Sequence, residues 1–438
     1  MSILQKLFKK KFRESDPEIQ FGRYSDSYKA EPNYEAWEKS VQYFENEKYL
    51  DAFAAFFDFL NEPSKSNVSY RILPGKIEFS IYQGSKIIEG RADAFKIRAE
   101  AKIAGVKEPE LGWLRLLAEE NYDLKFCRYA LDPEDNITIV FDSYAEDCNP
   151  DKLYQALKEL ATTADKKDDI LISEFSHLTP VNVHYTRIIP DEEKNIKYRY
   201  FQREVTDVLQ ELEQGKLNVH QIPGAMSYLL LDLVYRIDYL IKPEGNLMEC
   251  IEGCHRIFFN ESLTSVDQKN LMMLKKLREV ADITGEDFNK ELYEVKSTFG
   301  VTLPGSHERL REVIDAQIHE MDWYYENGHL AYANAIAGYI TGFTLFSYAL
   351  PEPTTHLLHF YYRVMENDYF RQLGFQQDFD LSGLPHKKNI LSFLKSIKKE
   401  LEVDYPEVQW DTGILDFTDY TTFAKTYLLM IRDIQLKD

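Results

Sequence analysis

A chain of 438 residues with 44% apolar residues, including 29 Tyr and 27 Phe, holds more core-forming material than one ordinary domain uses. This excludes a disordered chain and predicts two or three globular units. The formal net charge of −21, from 52 Lys and Arg against 73 Asp and Glu, repels phosphate backbones and acidic lipid, so no nucleic-acid partner is expected. Four cysteines without framework spacing, Cys127, Cys148, Cys250 and Cys254, fit reduced thiols and a cytoplasmic localisation.

Residues 1–13 carry Lys6, Lys9, Lys10, Lys11 and Arg13 among Ile3, Leu4, Leu7, Phe8 and Phe12. As a helix this segment is amphipathic, but one short segment without a lipid anchor holds a membrane only marginally. It reads as a solvated basic tail whose membrane contact is at most peripheral, and its lysines interrupt any signal-peptide core. Residues 1–33 are therefore assigned as tail and polar linker. Trp37, Val41 and Phe44, then Leu50, Phe53, Phe57 and Leu60, fall on helical faces on either side of Glu45–Lys48, which predicts a helix-turn-helix or one long helix, closed by Asn61-Glu-Pro63. Val68–Leu73 and Lys76–Gln83 alternate across Pro74-Gly75. The run from Lys86 to about Ala101 continues the alternation, which predicts a three-stranded antiparallel meander.

Leu111, Leu114, Leu117 and Ala118 recur at helical spacing, and Leu124–Leu131 and Ile137–Phe141 read as strands around the turn residues Asp132–Asn136. Leu153, Leu157, Leu160 and Ala164 then line a helix with Asn149 as N-cap and Pro150 at its first position. The predicted unit over residues 34–180 is α+β: an antiparallel five-stranded sheet with helices on one face. After an extended linker at 181–197, bracketed by Pro180 and Pro190, the period becomes helical. Residues 198–438 are expected to form an all-helical domain punctuated by Gly and Pro. Within it, Ala331–Leu350 has no ionisable acid or base. Asn334, Thr341, Thr344, Ser347 and three tyrosines interrupt the run, and charged or Trp anchors are missing from its flanks. It reads as a helix buried on all sides, with Gly338 and Gly342 permitting close approach of a neighbour, and not as a membrane span.

Trp113–Tyr122 leading into Phe126–Leu131, with Leu153–Ala161 followed by Ala164-Asp165 and Asp168-Asp169, resembles the type III secretion chaperone-like, or YbjN-like, family over roughly residues 35–180. The resemblance implies a small acidic bacterial α+β module, often dimeric, that holds an extended partner segment without catalysing a reaction. The expected function is that of a chaperone-like or adaptor protein binding a protein partner of unstated identity, with a homodimer left open. A structural component of a multiprotein assembly and a signalling regulator use the same kind of surface and stay as alternatives. Large rings on the strands are the candidate partner-binding residues: Phe79, Tyr82, Phe126 and Tyr129, with packing beneath the helices as the other reading for each.

Chemistry is weakly represented. Cys250, Cys254 and His255 share a helical turn but lack a fourth metal ligand, and buried free thiols explain them better. His319-Glu320 begins like a zinc-protease helix and fails at Trp323, and His307-Glu308 fails at Arg311. Glu119-Glu120 and Asp168-Asp169 read as solvated helix faces and ends. No catalytic residue, metal or cofactor is expected. An enzyme, the second alternative, requires His319, Glu320, His356 and His359 to converge in space.

Overall fold

The computed structural model describes residues 16–27, 29–63, 65–181, 186–218, 222–260 and 265–436. The basic segment 1–13 lies outside them. The chain divides into two compact units, one comprising residues 24–189 with 293–301, the other residues 1–23, 190–292 and 302–438.

The first unit is α+β. Helices α1 (Glu31–Glu45) and α2 (Tyr49–Leu60) are two helices and not one long one, and α2 turns Phe53, Phe56, Phe57 and Leu60 into the core. Strands β1 (Val68–Leu73), β2 (Lys76–Gln83), β3 (Lys86–Asp93) and β4 (Lys96–Val106) follow as consecutive antiparallel neighbours. The run expected as one strand from Lys86 is thus two. Asp93 ends the first by accepting the backbone N–H groups of Phe95 and Lys96 at 2.8 Å each, a side-chain turn that outweighs the continuing apolar alternation.

Helix α3 (Leu111–Glu120) buries Trp113 and Leu117. Strands β5 (Arg128–Leu131) and β6 (Asn136–Tyr144) form the expected hairpin. Its turn is closed by Asp132, whose Oδ1 accepts the N–H groups of Glu134 and Asn136. Burial opposes ionisation of Asp132, but these bonds, the Asn136 side chain and Lys102 prevail and hold its carboxyl down to about 2. Strand β5 starts at Arg128 and not at Leu124, because the Glu159 carboxylate accepts the backbone N–H groups of Lys125, Phe126 and Cys127 at 2.8–2.9 Å.

Helix α4 (Pro150–Glu174) is capped by Asn149, whose side chain accepts the Lys152 N–H at 2.8 Å, with Pro150 at its first position. It runs nine residues beyond the expected end at 165. Its last turns are not a solvated face, since Asp168 is buried against Lys86 at 2.7 Å. A seventh strand, β7 (Leu178–Pro180), pairs with the end of β4, so the sheet has order β1-β2-β3-β4-β6-β5 with β7 beside β4. It exceeds the expected five strands by the split after Asp93 and by β7. Helices α2 and α4 lie on the face that carries Ile77, Phe79, Ile81, Ile88, Ile97, Ile139 and Phe141.

Residues 293–301 join this unit although helices precede and follow them in the chain. Strand β9 (Tyr293–Glu294) pairs with β8 (Arg187–Ile188). The buried Gln83 side chain accepts the N–H groups of Thr298 and Phe299 and donates to the Phe299 carbonyl. Phe299 itself packs edge-on against Tyr154 in the core. One amide therefore fixes three backbone groups of residues 298–299, which belong to no strand.

The second unit is helical: α5 (Asp191–Gln214), α6 (Pro223–Ile241), α7 (Gly245–Phe259), α8 (Val266–Ala281), α9 (Gly285–Lys290), α10 (His307–Gln317), α11 (Glu320–Glu326), α12 (Leu330–Ser347), α13 (Glu352–Met365), α14 (Asn367–Gln372), α15 (Lys387–Leu401) and α16 (Tyr420–Arg432). Because α5 begins directly after Pro190, the expected linker ends there and not at 197. Residues 16–23 belong here. Arg23 donates to Asp238 at 2.7 Å, Asp16 pairs with Arg363 at 3.3 Å, and Phe21 packs among Tyr239, His359, Phe370 and Phe375.

The uncharged run forms α12, buried as expected. A Cβ at Gly338 would lie 1.9 Å from Asp232 Oδ1, and one at Gly342 2.5 Å from the Tyr235 Cβ, so both glycines admit α6. No helix among the described residues is long and apolar enough to cross a membrane.

Candidate functional site: the charged face of the sheet

Alternation along the strands sends one residue in two away from α2 and α4. Between β1 and β4 that second face is covered at its Tyr82 and Ile87 end, but the stretch through residues 69–71, 78–80, 89–91 and 98–100 is uncovered and charged. Antiparallel register places Arg71, Glu78, Arg91, Arg98 and Asp142 in one row across β1, β2, β3, β4 and β6. The adjacent row reads Ser69, Ser80, Glu89, Glu100, Val140 and, on β5, Arg128. The strands curve these rows into a groove of about 720 Å³ lined by Ser69, Arg71, Glu78, Glu89, Arg91 and Arg98, among others.

Pairing within the face is uneven. Arg71 forks onto Glu78 with bonds of 2.9 and 2.5 Å, and Lys76 adds a third at 2.7 Å. Bonds from Lys76 and Arg71 together hold the Glu78 carboxyl below its usual range. Arg98 reaches Glu100 at 3.0 Å along its own strand, and Arg128 pairs with Asp142. Across β3 and β4, however, like charges sit directly opposite: Arg91 beside Arg98, and Glu89 beside Glu100. Such pairs are unfavourable in an isolated sheet. The groove lining contains no histidine or cysteine, so its chemistry is that of charge recognition.

The four rings expected to meet a partner are all buried or half-buried. Phe79 is buried beneath α2, its ring 4.4 Å from that of Phe57, and Tyr129 is buried in the same core with its hydroxyl donating to Glu120 at 3.0 Å. Both are therefore corrected from binding residues to core. Phe126 is half-buried against the core, where Glu159 holds its backbone. Tyr82 is half-buried under the segment 293–301: Lys296 lies 5.1 Å over its ring and the Thr298 hydroxyl donates to its carbonyl. The structure does not bring the four rings onto one exposed surface. Charge alternating with Ile, Gly and Ala through Ile88–Ala92 and Ile97–Ala101 was the signal for the face that is exposed.

The histidines engage separate neighbours. His359 bonds Tyr239 at 3.0 Å, His356 bonds the Glu352 carbonyl at 3.0 Å, and His319 and Glu320 are exposed. Among the described residues no three His, Cys, Asp or Glu side chains are placed to hold a metal ion. Cys250 and Cys254 are buried free thiols, with Cys250 directed at the Lys276 carbonyl.

One carboxyl in the helical unit has an unusual proton affinity. Asp232 on α6 is buried against Gly338, 3.2 Å from Arg236, which also binds Glu204 at 2.7 Å and Glu366 at 2.8 Å. Burial, together with Glu366 and Glu204, outweighs Arg236 and pushes Asp232 up to about 7. A value in that range suits a general acid, but a methyl group on Gly338 would already overlap Asp232 Oδ1, leaving no room for substrate on that side. The consequence is for stability. The folded protein holds a proton on Asp232 that the unfolded chain releases near 4, so stability falls as pH rises from about 4 to about 7, by up to ~1.4 kcal/mol per pH unit. Asp232→Asn is expected to remove this slope and to exceed the wild type in stability above pH 7. Urea unfolding midpoints of the two proteins across pH 4–8 check it, and their difference cancels the contributions of Asp238 and Glu244, which burial also raises.

Compared with known proteins, the chain matches no protein family and no curated protein.

Proposed function

We propose that this protein works without catalysis by binding another protein chain, as a chaperone-like or adaptor protein, and that the uncovered face of its sheet is the binding surface. The observation that carries the reading is the groove of about 720 Å³ in which charged residues, and not the helices of the unit, occupy the second face of the sheet. An exposed sheet with like charges left facing each other is stabilised by a partner that brings the opposite charges. The proposal keeps the likeness to secretion chaperone-like proteins over residues 35–180 but moves the binding surface from the rings to the charged rows. Buried free thiols support a reducing cytoplasm as its setting, and the net charge of −21 supports a protein and not a nucleic acid as partner.

The full chain and the double variant Arg91→Glu/Arg98→Glu, purified gently from the native host, test this. The wild type should carry a stoichiometric protein partner that the variant loses while its circular dichroism spectrum shows it folded. Retention of the partner by the variant refutes the assignment of the face.

A further inference from the structure

We propose that the helical unit carries a docking surface for a bilayer that contains anionic phospholipid, made by a leucine-tipped hairpin and the lysine stripe of α15. It goes beyond the binding of a partner chain and belongs to the other unit.

Strands Asp380–Leu381 and Leu384–Pro385 join through Ser382 and Gly383, both at positive φ, as in the two-residue turn that matches strand twist. Leu381 and Leu384 are cross-strand partners, so their side chains stand together, and they are 57% and 47% exposed. The base of the hairpin is held. Asp380 accepts the Gly383 N–H at 3.1 Å and the Tyr420 hydroxyl at 2.7 Å, and Asn389 donates to the Asp378 carbonyl at 2.8 Å. The Asp378 carboxylate is engaged by Asn367 and Arg371.

Helix α15 starts three residues after Leu384. It buries Ile390, Leu394, Ile397 and Leu401, and the opposite side carries Lys388, Ser392, Lys395 and Lys399, all exposed. Lys387 and Lys398 flank this stripe, over the rings of Phe417 and Trp410. Residues 387–399 hold five lysines and no acid in a chain of net charge −21. At physiological ionic strength charges beyond about 8 Å are screened, so the stripe acts locally with its own sign. Lysines beside exposed leucines suit lipid phosphates over an apolar layer, whereas a nucleic acid offers the leucines nothing to enter.

The basic tail joins the fold at the same place. Asp16 pairs with Arg363 at 3.3 Å and accepts the Gln376 N–H at 3.4 Å. Arg363 lies over the rings of Phe379, which precedes the hairpin, and of Phe393 on α15. Residues 1–13, with five cations among Ile3, Leu4, Leu7, Phe8 and Phe12, thus add the same chemistry next to the hairpin. One such segment holds a membrane only marginally, and two signals together hold it stably.

Cosedimentation of the full chain with vesicles of phosphatidylcholine alone, and of equal parts phosphatidylcholine and phosphatidylglycerol, tests this. The chain should bind the mixed vesicles and not the neutral ones, less as salt rises. Lys388→Gln/Lys395→Gln/Lys399→Gln should weaken binding on the order of 100-fold, at about fivefold per lysine. Leu381→Ser/Leu384→Ser should weaken it about tenfold while leaving any affinity for heparin, a soluble polyanion, unchanged. Circular dichroism verifies folding, and Lys395→Gln or Leu384→Ser alone replaces a variant that does not fold.

Absence of binding to the mixed vesicles overturns the proposal, as does equal binding to neutral ones. Binding that disappears on removal of residues 1–13 yet ignores both variants assigns it to the tail alone and overturns the surface. Binding that needs the lysines but not the leucines, with heparin bound as tightly, overturns the bilayer in favour of a soluble polyanion.

Discussion

Replacing Phe79 with alanine is expected to destabilise the α+β unit by about 3–5 kcal/mol, the cost of emptying a ring-sized volume in a packed core. The ring is sandwiched. On one side Phe57 lies 4.4 Å away between centroids; on the other Gly90, its cross-strand neighbour, leaves open the space that the ring fills. A Cβ built on Gly90 would fall 2.1 Å from the tip of Phe79, so the glycine and the phenylalanine form one unit in which the ring covers bare backbone. Alanine at 79 leaves a cavity that a glycine neighbour cannot refill. Urea unfolding followed by circular dichroism reads the loss directly. A change below about 0.5 kcal/mol, usual for a surface ring, would return Phe79 to the list of partner-binding candidates.

Arg236→Ala should cost a comparable ~3–5 kcal/mol in the helical unit, for an electrostatic reason. Arg236 on α6 lies among Glu204 of α5, Asp232 of its own helix and Glu366 just after α13. Removing the guanidinium leaves Asp232 and Glu366 without the cation that holds them and Glu204 with Arg203 alone, so that carboxylates crowd one another in a buried space or the packing opens. The loss should therefore be larger at pH 8 than at pH 5, where protonation relieves the repulsion. The combination Arg236→Met, Asp232→Asn, Glu204→Gln and Glu366→Gln should recover most of it, because apolar or neutral residues of similar volume replace a buried ion cluster at little net cost. Thermal melts of the single and the combined variant decide. A combined variant no better than Arg236→Ala would show that the cluster acts through packing alone.

Several features were legible in the residues because their causes are local. The cap at Asn149 and Pro150, the turn at Asp132 and the paired helices before Pro63 are made by side chains and backbone groups a few residues apart. The burial of α12 was legible from twenty positions without an ionisable acid or base, since a helix with no polar stripe must be covered on all sides. The turn at Asp93 was equally local, yet the apolar alternation runs on through it and hides it. The extension of α4 to Glu174 was hidden for another reason: Asp168 is charged, and its burial is made tolerable by Lys86, 82 positions earlier, and by the hydroxyl of the adjacent Ser85.

The candidate site lies between these cases. Charge at every second residue of β3 and β4 could be read from the chain, but which of the two sheet faces the helices would cover could not. The ring of Phe79 stands between polar Glu78 and Ser80, and that of Tyr129 follows Arg128, just as surface rings would.

By itself, then, the sequence determined the place of most helices and strands, the α+β character of the first unit and the helical character of the second, because periodicity, capping and turn chemistry act over a few residues. Tertiary structure alone decided that residues 293–301 leave the helical half to lie against Gln83, that Phe79 rests on Gly90, and that Arg91 faces Arg98 while Glu89 faces Glu100. The reason is strand register. It is set by which distant segments pair, and a shift of one residue would exchange the buried face with the charged one.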